Sequence, residues 1–391
     1  MSSEIFIIGS GHTQFGRLSQ NLEELLVEAA QEAIAEAAID PAEIDAIYLG
    51  HFNSGLVSDG FASSLVQQAH PALRFKPATR CENACASGAA AIFNAMNLIE
   101  AGKARNVLVV GVEKMTHRST ADVTTALAGA GYQNDPHEAS LSFPQVFAIA
   151  AQSYQERYQD PMDAMARIAA KNHANAMKNP LAQMHRPLTF EQCRDVSDRN
   201  PLIAPPLRLS DCSLITDGAA AIVLSSGEGK AASAERRVRM AAAEHVSDYL
   251  PMSRRDFLAF EGPERAIQTA FKNAGITIDD VDFAEVHDCF TIAELLIYEA
   301  MGLAPKGEGA RAIEEGRVLA DGKTPVNLSG GLKAKGHPVG ATGVSMHALG
   351  YRQLTGQAGE MQRKGAELGL IFNMGGAAVA NYASVLKADR A

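Results

Sequence analysis

Residues 324–354, TPVNLSGGLKAKGHPVGATGVSMHALGYRQL, lead a short apolar strand through a glycine-rich loop into an amphipathic helix. The same plan occurs far upstream, where a strand runs into CENACASG (81–88) and an Ala-rich helix covers about 86 to 101. Working outward from these two copies, the element order matches on both sides. The first half offers IFIIG (5–9), a helix from Leu22 to Ala38, DAIYLG (45–50), a helix near 60–70, NVLVVGVEKM (106–115) and DCSLITDGAAAIVLSS (211–226). The second offers RVRMAAAEHV (237–246), a helix over 263–275, VDFAEVHDCF (281–290), a helix over 290–301, LGLIFNM (368–374) and AVANYASVL (378–386). Near-continuous apolar strands alternating with helices predict buried sheet covered on both faces. The reading is therefore an α/β chain built from two similar layered halves.

The domain expectation follows directly. Residues 1–116, completed by 208–230, form the first half and 231–391 the second. Residues 117–207 change texture, with more Met, His, Asn, Pro and Gln and breaks at NDP, KNP and NPLIAPP. They read as a loop-rich insertion carrying a few helices, of which 163–178 is the clearest.

Composition excludes several classes. A net charge of −10 lacks the basic footprint of a nucleic-acid binder. No apolar run is long enough to span a bilayer. The N-terminus MSSEIFIIGSG lacks a basic or cleavable leader, and the C-terminal KADRA is not a peroxisomal signal, so a cytoplasmic location is expected. Five scattered cysteines, Cys81, Cys85, Cys193, Cys212 and Cys289, fit free thiols in a reducing compartment.

Chemistry gathers where strands end and helices begin. GSGHTQFG (9–16) has Gln14 where a dinucleotide loop needs glycine, so it reads as a turn. Cys85 precedes a helix N-terminus, whose free N–H groups are expected to lower a thiol pKa. Cys81 reads as packing, and no partner at ligand spacing supports a zinc site with Cys85. HDCF (287–290) sets His287, Asp288 and Cys289 in a strand-to-helix turn. GHPVGATG (336–343) presents His337 in a loop of small residues. FNMGGAAVAN (372–381) is a turn able to expose N–H donors. A nucleophilic cysteine, two imidazoles, a second thiol and backbone donors suit acyl transfer through a thioester.

These four motifs, in order along the whole chain, resemble the thiolase superfamily. NACASG is similar to its nucleophile loop, GHPVGATG to its histidine loop and SDCSLITDGAAAIVLSS to the closing strand of its first half. HDCF, in place of the commoner Asn-Glu-Ala-Phe loop, resembles the sterol-carrier-protein type. The best-known members carry a second cysteine in a Cys-x-Gly turn near the C-terminus; here Asn373 stands there. The resemblance implies a duplicated αβαβα five-layer fold and CoA-dependent cleavage of a 3-oxoacyl-CoA, or the reverse Claisen condensation, in fatty acid or sterol lipid metabolism. It implies Cys85 as nucleophile, His287 and His337 as enolate-binding groups, Cys289 as acid/base, and an oxyanion hole from the N–H groups of Cys85 and Gly375. Coenzyme A would be a co-substrate, with no tightly bound cofactor and no metal. The implied assembly is a homodimer paired through its first halves, with a tetramer as a larger form. Two alternatives stay open: a retro-aldolase on a β-hydroxyacyl-CoA side chain with an OB-fold/zinc-ribbon partner, and a non-catalytic thiolase-like subunit.

Overall fold

The computed structural model describes residues 4–389, so the first three residues and the last two of KADRA lie outside the described residues. The strands are β1 (Ile5–His12), β2 (Ala46–Gly50), β3 (Ala78–Cys81), β4 (Asn106–Glu113), β5 (Leu202–Ala204), β6 (Leu207–Arg208), β7 (Gly218–Ser226), β8 (Val238–Ser247), β9 (Phe283–Val286), β10 (Leu368–Gly375) and β11 (Ala380–Ala388). β5 and β6 form a small hairpin. The others make one nine-stranded sheet in the order β3-β2-β4-β7-β1-β8-β11-β10-β9.

That order carries the duplication. The first strand of each half, β1 and β8, pair antiparallel at the centre, with Phe6 opposite Arg239 and Ile7 opposite Val238. Outward from this seam lie β7, β4, β2 and β3 on one side, and β11, β10 and β9 on the other. Val326 bridges to Ala284 of β9 where β3 pairs with β2 in the first half. The two halves thus share one hydrogen-bonding scheme about a pseudo-twofold axis, and their sheets meet edge to edge.

β1, β4 and β7 are buried along their whole length, as strands covered on both faces must be. Helix Leu22–Glu36 closes one face of the first half; a Cβ on Gly11 would sit 2.0 Å from the Ala29 carbonyl oxygen. Helices Ser87–Glu100 and Thr342–Leu354, the two motif-bearing copies, pack against each other in the middle layer, and helix Glu261–Ala274 covers β8 and β11.

The insertion carries more helix than its loop-rich reading, with Met162–Ala176 close to the expected 163–178. It is largely helical: Thr120–Ala128, Pro136–Ala139, Phe143–Arg157, Met162–Ala176 and Phe190–Arg194. The NDP break places Pro136 at the first position of a helix, and Pro144 likewise sits in the first turn of its own, where a missing N–H costs nothing. Capping boxes Ser142/Gln145 and Thr189/Gln192 start two of these helices. The helix expected near 60–70 is shorter, Ala62–Leu65 followed by a 3-10 turn, because His70 precedes Pro71 and is held extended.

The insertion is tied to the second half by buried charge. Lys171 Nζ lies 2.6 Å from Glu294 Oε1 and also donates to the Val326 carbonyl. Tyr298 Oη, Asn172 Nδ2 and Asn327 Nδ2 complete the bonds to Glu294. A buried pair is tolerated only when its remaining hydrogen-bonding groups are satisfied in this way.

The two middle helices meet backbone to backbone. A methyl group on Gly88 would lie 2.8 Å from Gly340 O and 2.9 Å from Val344 N. Gly88→Ala is therefore expected to destabilise the protein by about 1–3 kcal/mol through overpacking. Urea denaturation measures it, and an unchanged midpoint would contradict the contact.

Candidate active site

Three loops deliver side chains to one cavity of about 390 Å³, whose lining includes Cys85, His287, Cys289 and His337. Each loop is shaped by local chemistry. After β3 the chain turns through Ala84, a non-glycine residue in the left-handed region (φ 50°). Such a conformation persists only where its surroundings over-determine it. Here the Ser87 hydroxyl accepts from Asn83 N and donates to Ala84 O, the Glu82 carboxylate accepts from Ala84 N, and the Tyr382 hydroxyl accepts from Asn83 Nδ2. The result lifts Cys85 to the cavity wall two residues before the first helical residue, Ser87.

In the second loop, alternation after β9 separates three neighbours. His287 and Cys289 face the cavity, while Asp288 turns away to accept from Leu332 N, Lys333 N and Asn172 Nδ2. Asp288 is thus a structural carboxylate fixing the 330–335 turn. Burial raises its pKa to about 7. In the third loop Gly336 takes φ 121° beside Thr216, and the Thr216 hydroxyl accepts from His337 N.

The sulfur of Cys85 and one ring nitrogen each of His287 and His337 lie within 4.8 Å of one another. The two rings stand edge to face at 5.1 Å. Their hydrogen-bond partners fit opposite tautomers. The Thr342 oxygen lies 2.7 Å from His337 Nδ1 and 3.0 Å from Pro338 O; with its proton on Pro338 O, it accepts from His337 Nδ1–H. His337 Nε2 then carries a lone pair. Asn373 Nδ2 donates to the Cys85 carbonyl at 3.2 Å and to His287 Nδ1 at 2.8 Å. His287 therefore carries its proton on Nε2. One imidazole offers a base and the other an N–H donor. The three groups have the spacing of a metal-ligand set.

Electrostatics depart from one expectation. The Cys85 thiol is pushed up to about 12 by burial, although the N–H groups of Gly376 and of Cys85 itself point the other way. The helix N-terminus does not win, because the thiol stands outside the helix's first turn within an apolar cavity. Cys289 is raised well above the ordinary thiol value by burial and by the nearby Cys85. His337 is lowered to about 3 by burial and by Lys335, and His287 is also lowered well below its usual value. At rest the cavity holds neutral imidazoles and protonated thiols.

The N–H beside the Cys85 sulfur belongs to Gly376. Gly375, the residue expected from the sequence, lines an adjoining cavity of about 500 Å³, where a Cβ would lie 2.2 Å from Asn83 O. Cys81 and Cys193 do not line the reactive cavity, whereas Cys212 does. The sequence assigns no role to Asn373, Thr342 or Gly376, although Asn373 stands out in a motif that usually holds cysteine and Gly376 lies in the 372–381 turn expected to expose N–H donors.

Burial depresses His347 as well, to about 4, compared with about 6.5 for a free imidazole. Unfolding lets His337 and His347 take up protons between those values. Their contribution is complete above pH ~6.5 and is lost as the pH falls towards 4. His347 Nδ1 donates to Gly343 O, and its Nε2 accepts from Ser384 Oγ. His347→Gln should flatten the loss of stability between pH 6 and 5 by about 1 kcal/mol per pH unit. Urea titrations at the two pH values test this, and parallel losses in both proteins would contradict it.

Comparison with known proteins bears on this geometry. The family description "Thiolase, N-terminal domain" matches residues 5–228, and "Thiolase C-terminal domain-like" matches 243–388. The chain is 38% identical to the acetyl-CoA acetyltransferase of Methanothermobacter thermautotrophicus, over 95% of this chain and 96% of that one. It is 31% identical to sterol carrier protein 2 of Gallus gallus, over 96% of this chain and 70% of that one. Among solved structures, an Ltp2-ChsH2(DUF35) aldolase superposes with a TM-score of 0.82 at 22% identity, over 100% of this chain and 99% of that one. Among the described residues no helix is long and apolar enough to cross a membrane.

Proposed function

The chain belongs to the thiolase family, and from that premise we propose how its residues divide the work of a thiolase-type acyltransferase acting on CoA thioesters. The observation that carries the reading is the meeting of the Cys85 sulfur with one ring nitrogen each of His287 and His337, whose other partners fit opposite tautomers.

His337 Nε2 takes the Cys85 proton as sulfur attacks the 3-keto carbon of a 3-oxoacyl-CoA. The N–H groups of Cys85 and Gly376 hold the oxyanion formed there. Losing one such donor costs about 3–4 kcal/mol of barrier in comparable sites. Re-formation of the carbonyl breaks the C2–C3 bond, and the electron pair passes into the enolate of the departing acyl-CoA. His287 Nε2–H and the protonated His337 stabilise that enolate oxygen, and Cys289 protonates C2. The Cys289 thiolate next removes the proton of incoming CoA, whose sulfur attacks the acyl-Cys85 thioester. Cys85 leaves and recovers its proton from His337. Run backwards, the same transfers perform Claisen condensation.

Retention of both thiols in one cavity favours this reading over a retro-aldol reaction, which needs no acyl-cysteine. Cys289→Ala is expected to lower cleavage of acetoacetyl-CoA and longer 3-oxoacyl-CoAs by about 10²–10⁴-fold. Intact-mass analysis should still find the acyl group of a reactive donor on Cys85 in that variant. Near-normal cleavage without Cys289, or acylation elsewhere with Cys85→Ala turning over, would overturn the roles.

A homodimer belongs to the same proposal. β3 ends the sheet of the first half with Thr79 and Arg80 exposed, and Phe75 just before it is 84% exposed. An unpaired edge of this kind favours pairing with another strand. A second copy supplies one. Light scattering at micromolar concentration should give twice 41.5 kDa, and a clean monomer would refute the pairing.

A further inference from the structure

We propose that Asn373 is a positioning residue that fixes His287 as an N–H donor to the enolate. The inference rests on the reaction proposed above and assigns a task to the residue standing where a second cysteine would be expected. Three contacts determine its orientation. The Cys85 carbonyl can only accept, so the amide NH₂ must face it, at 3.2 Å. The second hydrogen of that NH₂ goes to His287 Nδ1 at 2.8 Å. The opposite end, Oδ1, is buried without a hydrogen-bond partner and faces the first turn of helix Thr342–Leu354; a Cβ on Gly343 would lie 2.6 Å from it. A helix N-terminus favours partial negative charge, which holds Oδ1 on that side.

A flipped amide would place an oxygen against a carbonyl oxygen. An imidazole with its proton on Nδ1 would place N–H against N–H. Either alternative leaves buried polar groups opposed, so amide and tautomer are fixed together. The consequence is a division of labour. Asn373 moves no proton but keeps the His287 proton directed at the cavity, while the proton-transferring thiol sits on the neighbouring loop as Cys289. Asn373 touches the nucleophile's own loop as well, through the Cys85 carbonyl, so donor and nucleophile stay in register.

The test reads the tautomer directly. In the resting enzyme labelled with ¹⁵N-histidine, His287 (identified by its loss in His287→Gln) should show a protonated Nε2 and an unprotonated, hydrogen-bonded Nδ1. In Asn373→Asp the carboxylate can only accept, so the proton should move to Nδ1. In the isosteric but apolar Asn373→Leu both tautomers should appear. Both variants should lose about 10²–10³-fold in kcat for 3-oxoacyl-CoA cleavage, with KM changed far less. Transfer of a preformed acyl group from Cys85 to CoA should fall much less, because no enolate forms in that step. A wild-type His287 protonated on Nδ1 would overturn the proposal even if neither variant folds. So would variants that turn over normally. If the wild-type enzyme cleaves no 3-oxoacyl-CoA, the reaction falls and with it the enolate role, while the tautomer result still decides whether Asn373 orients His287.

Discussion

Everything in the site depends on how closely two pieces of backbone approach. The N-terminus of helix Ser87–Glu100 and the loop carrying His337 touch with no side chain between them. A Cβ on Gly340 would lie 2.3 Å from Val112 O and 2.8 Å from Gly50 O, and one on Gly111 would lie 2.6 Å from Gly340 O. Strand ends of the first half and the histidine loop of the second are therefore in van der Waals contact through main chain alone. Two duplicated halves could pack in many ways, but only this approach brings a sulfur from one within reach of an imidazole from the other. Backbone contact also resists the small displacements that side chains absorb by changing rotamer.

Such an approach buries polar main chain, and Glu113 at the end of β4 supplies partners for it. Its carboxylate accepts from Phe52 N, Asn53 N and Gly340 N, with His51 Nε2 at 3.2 Å. One fully buried side chain thus ties the loop after β2 to the loop holding His337. On the other side of the cavity Asp288 and Glu294 do the same for the 330–335 turn and the insertion. Acidic groups placed this deep are acceptable only because most of their bonds go to N–H donors fixed by the fold. They act on the chemistry at a distance: the charge of Glu113 helps keep the Cys85 proton in place.

Legibility in the sequence followed the range of each signal. The duplication was readable because it repeats strand, glycine loop and helix in order, and the four residues that meet in one cavity because each sits inside a distinctive short motif. Asn373 was visible only as a missing cysteine. Its task depends on the Cys85 carbonyl, which lies 288 positions away in the chain. Thr342 looked like an ordinary residue of the first helical turn until its oxygen was seen to accept from His337. The direction of the Cys85 shift was misjudged because the sequence displays the helix that follows but not the apolar walls. Val123, Leu127 and Phe143 of the insertion supply much of that lining. The insertion read as loop-rich in part because Pro136, in the NDP break, sits at a helix start, where it is tolerated.

The resting site is uncharged, and that shapes how its reaction must begin. Burial alone would leave Cys85 protonated and both imidazoles neutral, so an ion pair between Cys85 and His337 is uphill before substrate arrives. Lys335 raises the barrier further on the imidazole side, since its charge also disfavours protonation of His337 and His287. In the proposed reaction the proton leaves sulfur as charge develops where donors are already placed, at the Gly376 and Cys85 N–H groups and His287 Nε2–H. Those groups are oriented by main chain and by Asn373, so they need no reorganisation when the oxyanion and enolate appear. A site with a preformed thiolate would leave a reactive nucleophile exposed to any electrophile entering a 390 Å³ cavity. In the proposed reaction, holding the proton on sulfur until a carbonyl meets the Gly376 and Cys85 N–H groups would couple activation of Cys85 to the presence of a thioester partner.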